Sequence, residues 1–277
     1  MAHPARITWL LALLALLLAQ AVAASASSLP AGLPAGPPGL VVTVIDGDTL
    51  RLDDGREVRL VGIQAPKLPL GRAGFPTWPL AKEAKAALER MALRARVTPH
   101  FGGAREDRHG RQLAHLVTAE GRWLQGAMLE GGMARVYTFP DNRSAAREML
   151  ALEAAARAAR LGIWRLDHYR VRQHGEVAQL IDTFQLVEGR VLRADQVRDH
   201  LYLNFGADWR DDFTIRIARR NLRLFQQAGE DPADFAGRTV RVRGWLRRLN
   251  GPMIEVTHPE QIEALPALKA PVPRPSR

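Results

Sequence analysis

Residues 40–63 read "LVVTVIDGDTLRLDDGREVRLVGI", three apolar-alternating runs separated by Asp46-Gly47-Asp48 and Asp53-Asp54-Gly55-Arg56. A two-residue period buries one face only when the backbone is extended, and short glycine-bearing turns join neighbouring antiparallel strands. The first folded unit is therefore predicted to open as a β-meander, with strands at 41–45, 49–52 and 57–63. Pro66, Pro69, Pro76 and Pro79 then enforce an irregular loop. Beyond it the spacing of Leu80, Ala84, Leu88 and Met91 predicts a helix over 80–93. Strands at 96–101 and 112–117 flank "GGAREDRHGR". A short helix over 123–130 ends at Gly131-Gly132, a strand follows at 133–138, and Ser144 is placed to cap a helix running to Arg160. Strands first and helices later define an α+β class.

From Phe184 the chain changes character. Five strand-like segments and one short helical candidate at 219–228 predict a second small OB-like β-barrel within 178–265. Its aromatics are Tyr202, Phe205, Trp209, Phe213 and Trp245, assigned mostly to the core. Its bases Arg216, Arg219, Arg220, Arg241, Arg243, Arg247 and Arg248 are expected to share one positive face.

The ends carry other signals. Residues 1–26 combine Arg6, an apolar run from Ile7 to Ala19 and Ala-x-Ala sites, the pattern of a secretory signal peptide, so a periplasmic or extracellular location is expected. The apolar run is shorter than the ~20 residues a bilayer requires, so no stable membrane span is expected. Residues 27–39 read as a Pro/Gly linker, 40–170 as the first domain and 266–277 as a disordered basic tail. The absence of cysteine excludes disulfides, zinc–thiolate centres and thiol nucleophiles. Residues 40–170 hold 21 Lys and Arg against 15 Asp and Glu, whereas 171–265 hold 14 of each. The first unit is thus the one suited to a polyanion such as DNA or RNA.

Asp46 and Asp48 lie two apart, so both carboxylates point to one face of an extended segment, as a hard cation would want. Arg59 can present its guanidinium to the same region, and Arg111 in "DRHGR" is a second planar donor for a phosphate. In order, "VIDGDTLRL", "VRLVGIQAPK", "DRHGRQLAHL", "GAMLEGGMARVY" and "RLGIW" resemble the staphylococcal nuclease (thermonuclease) family over residues 40–165. The resemblance implies a five-stranded OB-type barrel with helices and phosphodiester hydrolysis assisted by Ca2+. It also implies roles for single residues: Asp48 as a calcium ligand, Asp46 behind it, Ala65 as a backbone ligand, and Arg59 and Arg111 as the catalytic, phosphate-binding arginines. Tyr137 takes the family's strand position and is assigned to packing.

The chain departs from that pattern where it matters chemically. Gln64 stands at an acidic metal-ligand position, and Lys67 at the position of the general base. An amide oxygen brings no charge, and an ammonium cannot take a proton from water at neutral pH. Counting Asp48 against Arg59, Arg111 and Lys67 leaves a positive site that prefers phosphate to calcium. Lys67 is therefore expected to pair with Asp48, replace the metal electrostatically and join the phosphate-binding set. Glu106, His109 and His115 are the remaining candidates for a base. Two functions follow: an exported thermonuclease-family protein acting on or binding nucleic acid, or a non-catalytic cell-envelope scaffold for a protein or glycan.

Overall fold

The computed structural model describes residues 28–208 and 210–266. The leader-like residues 1–26, most of the basic tail and Trp209 lie outside the described residues. The meander forms as its periodicity requires: β1 (Gly39–Asp46), β2 (Thr49–Leu52) and β3 (Glu57–Leu60) pair antiparallel, with Val41, Val44, Leu50, Leu52, Val58 and Leu60 turned inward. A short β4 (Gly62–Gln64) leaves this sheet. Helix α1 (Ala81–Ala92) follows, then β5 (Arg96–His100) and β6 (Gln112–Thr118). The barrel closes in the order β1-β2-β3-β6-β5, with β3 and β6 parallel. Helix α2 (Leu124–Glu130), strand β7 (Arg135–Tyr137) and helix α3 (Ala146–Ala158) complete the unit, and β7 pairs with β4.

The second unit comprises β8 (Arg172–Gln173), β9 (Phe184–Arg190), β10 (Arg193–Val197), β11 (His200–Asn204), β12 (Thr214–Ala218), α4 (Arg219–Gln227), β13 (Thr239–Leu249), β14 (Gly251–Val256) and β15 (Ile262–Ala264). Its path is β10-β11-β12-β14-β13-β9-β8, with β15 on the side of β13. Only Val191 and Leu192 separate β9 from β10, so the path leaves and re-approaches one stretch of chain and the sheet curls towards a barrel. If β9 and β10 are counted as one bent strand, the order is first, second, third, fifth, fourth, with a helix between third and fourth and a parallel third–fifth pair. The closed barrel has the same plan, so both units are OB-type.

Three local expectations are corrected. Ser144 does not cap α3: its hydroxyl donates to the Gly102 carbonyl at 2.7 Å, and Ala145, with φ 59°, takes the cap position. The Pro/Gly segment is not a free linker where it meets the barrel. Gly36 N–H donates to Pro99 O and Phe101 N–H to Pro34 O, which lays residues 34–36 along β5. The bases of the second unit do not add up to one open positive face, because four of the seven are held by acids: Arg216 by Glu255, Arg241 by Glu188, Arg247 by Asp182 and Arg243 by Glu153 and Glu263.

Arg243 is instead buried between the units. Its guanidinium meets Glu153 of α3 at 2.9 and 3.0 Å and Glu263 of β15 at 2.6 Å, and Glu153 also accepts the Val136 N–H at 2.6 Å. Arg143 pairs with Glu260 at 2.9 Å, the Trp245 indole donates to the Tyr137 hydroxyl at 3.1 Å, and Thr138 shares a 2.8 Å hydrogen bond with His258. Tyr137 packs edge-on against Phe139 and Phe184, as a packing residue should. No helix among the described residues is long and apolar enough to cross a membrane.

Burial lowers the pKa of both His115 and His258 from 6.5 to about 4, with the positive charge of Arg143 and Arg243 acting the same way on His258 and Glu260 opposing it. The unfolded chain binds these protons near pH 6.5 and the folded chain only near 4, so stability rises with pH across that window. The urea midpoint is expected to fall as pH drops from about 6.5 to about 4, and His258→Gln is expected to flatten that slope. A midpoint that rises on acidification would contradict the assignment.

Candidate active site

Strand β1 delivers Asp46 to the rim of the closed barrel, and the turn to β2 brings Asp48 beneath it. The Asp48 N–H donates to Asp46 Oδ1 at 3.0 Å, a local bond that fixes the turn. Gly47 is required between them, since a Cβ there would lie 2.6 Å from Ala65 Cβ and 2.9 Å from Ala84 Cβ. Asp48 is fully buried, and both of its oxygens are used. Oδ2 accepts the Ala65 N–H at 2.7 Å; Lys67 Nζ lies 2.6 Å from Oδ1 and 2.7 Å from Oδ2; Arg59 Nη1 is 3.2 Å from Oδ1. Lys67 also reaches Asp46 Oδ2 at 3.3 Å. The Trp78 N–H donates to the Lys67 carbonyl at 2.9 Å, so the proline loop folds back on the residue it presents.

Burial alone would raise the Asp48 pKa, but Arg59, Lys67 and the Ala65 N–H overcome it and hold the carboxyl well below the usual range. Asp46 shifts the other way, raised by burial and then by the Asp48 charge, against the lowering effect of Lys67. The pair is thus organised around one firmly ionised carboxylate with an ammonium astride it.

The other expected members sit differently. Gln64 is buried, but its Oε1 accepts from Arg135 Nε at 3.0 Å and Nη2 at 2.6 Å across the β4–β7 pair, so its expected place as a metal ligand is corrected. An amide oxygen buried beside a buried guanidinium satisfies it rather than facing an open site. Ala65 contributes its N–H to the cluster. The Arg59 guanidinium is only slightly exposed and donates to the carbonyls of Asp48, Leu60 and Ile63 at 3.2, 2.8 and 2.7 Å. Arg111 is held in its own turn by two bonds to Asp107 Oδ2, at 2.8 and 2.6 Å. Glu106 and His109 are exposed on that hairpin, and His115 is buried in the barrel wall. Arg135 was missed in the sequence; its one signal is an arginine between the apolar Ala134 and Val136 of a short strand.

Calcium does not fit this donor set. Calcium takes six to eight oxygen ligands with negative charge among them. Here the one strongly ionised carboxylate is saturated by an ammonium, a guanidinium and an N–H, and the amide expected to help it is committed to Arg135. No group of three or more metal-binding side chains occurs among the described residues.

The barrel and this cluster define a nuclease-type OB domain with a cation built into its carboxylate site. The family model for staphylococcal nuclease homologues matches residues 57–166. The chain is 35% identical over 141 residues to Protein ParB of Escherichia coli, covering 47% of this chain and 73% of that protein. It is 30% identical over 131 residues to an uncharacterized protein of Bacillus anthracis, covering 46% of this chain and 60% of that one. The chain belongs to the staphylococcal nuclease homologue family. That family is calcium-dependent in general, which makes the ammonium at Asp48 the main departure.

Proposed function

We propose that this protein engages nucleic acid through its first unit and does not hydrolyse phosphodiesters with calcium. The observation that carries the reading is Lys67 Nζ lying 2.6 and 2.7 Å from the two Asp48 oxygens, where it supplies the positive charge a metal would bring and removes the base. Binding itself draws on the excess of 21 bases over 15 acids in residues 40–170. That excess makes a long-range attraction to a polyanion even though Arg59 and Arg111 are engaged internally. The leader-like pattern of residues 1–26 supports an exported, periplasmic or extracellular site of action.

The test is fluorescence titration of labelled single- and double-stranded DNA and RNA across a series of salt concentrations. Affinity is expected to fall steeply, the log–log slope growing by about 0.9 for each phosphate neutralised on a duplex. An affinity indifferent to salt would remove nucleic acid as the partner.

A further inference from the structure

The second unit carries a cavity of about 660 Å3 on the face of β10, β11 and β12, closed at one side by the turn between β13 and β14. That volume lies within the range of small-ligand sites. Strand register explains what lines it. Asp195 pairs with Tyr202 and Arg193 with Asn204, so these four side chains rise on the same face, and Thr214 stands opposite Asn204 on the next strand. Leu201 and Leu203 alternate into the core, which leaves Tyr202 half-buried with its ring beside the cavity.

The floor is pre-arranged. Asn204 and Thr214 are buried and linked, with Asn204 Nδ2 donating to Asp195 Oδ2 at 2.8 Å and the Thr214 hydroxyl to Asn204 Oδ1 at 3.3 Å. Asn250 reaches in from the turn, and the exposed Val197 and Leu249 give the cavity an apolar lip. Planar amides and a carboxylate beside an aromatic ring match a ligand with hydroxyl groups on its edge and an apolar face. OB-type sheets use such a face for oligonucleotides and oligosaccharides, and charge separates the two here. Residues 193–214 contain three arginines against five aspartates, and Arg193 itself pairs with Asp195. The lining itself holds one arginine and one aspartate, paired with each other, so the site offers no net positive charge to a phosphate chain.

We infer that the cavity over β10–β12 is a binding site for a neutral saccharide, with Tyr202 stacking on the ring and Asp195, Asn204 and Asn250 taking its hydroxyls. This site does not depend on the nucleic-acid reading of the first unit, and the two can fail separately. The experiment is calorimetric titration of the full chain with neutral oligomers of glucose, xylose, mannose and N-acetylglucosamine, and with oligo(dT). At least one neutral oligomer is expected to bind at millimolar concentration or better, with an affinity that salt does not change. Tyr202→Ala should weaken it about tenfold, and Tyr202→Phe should retain it. The inference is overturned if none of the oligomers binds at millimolar concentration or if Tyr202→Ala binds as the wild type does. It is equally overturned if oligo(dT) displaces a bound sugar in a salt-sensitive way.

Discussion

Arg243→Ala is expected to lower the free energy of unfolding by about 3 kcal/mol, among the largest effects of a single change in this chain. Glu153 is fully buried, and Arg243 and Arg157 neutralise it together with the Val136 N–H. Burial acts to raise the Glu153 pKa, yet these partners, Arg243 foremost, keep it depressed, so the group is an anion in the folded chain. Truncating Arg243 leaves that anion inside with two of its four hydrogen bonds and strips Glu263 of a 2.6 Å partner. The loss should reach both units, because Glu153 belongs to α3 and Arg243 to β13. A double change, Arg243→Met with Glu153→Gln, should recover part of the stability, since no anion is then left to desolvate and the amide oxygen can still accept from the Val136 N–H and Arg157. Equilibrium urea unfolding decides the matter. A single mutant as stable as the wild type, or a double mutant no better than the single, would contradict the account.

Lys67→Glu is expected to have the second large effect, and to show it as a new response to calcium. Removing the ammonium takes the closest cation from a buried carboxylate, which by itself should cost about 2–3 kcal/mol. A third carboxylate then faces Asp46 and Asp48, and calcium, binding only the folded state, should raise the unfolding temperature of the mutant while leaving the wild type unmoved. Adding Gln64→Asp should contribute little, because residue 64 is turned to Arg135 and a carboxylate there would pair with that guanidinium. An unfolding temperature equally indifferent to calcium in mutant and wild type would mean that Lys67 is not what excludes the ion.

The features most legible in the sequence were those set by local period. The meander of β1 to β3, helix α1 and the strand alternation of the second unit all follow from spacing over a few residues, and they suffice for an OB-type plan in both halves. Charge counting anticipated the Lys67–Asp48 pair, because one lysine among two aspartates and an arginine has few other places to put its charge. What spacing could not supply was partner choice at long range. Gln64 turns to Arg135, 71 residues on, and Arg243 to Glu153, 90 residues back. Nothing local distinguishes those arginines from solvated ones. Ser144 shows the same limit, a helix cap being available locally while its hydroxyl donates to the Gly102 carbonyl, 42 residues back.

The most direct measurement is calorimetric titration of the wild-type chain with calcium, run beside incubation with labelled DNA and RNA in calcium or in chelator. With Lys67 seated on Asp48, calcium should give no binding heat, and the nucleic acid should remain equally intact in both conditions. Saturable calcium binding accompanied by calcium-dependent strand cleavage would show that the ammonium yields its place to the metal and would contradict the central claim.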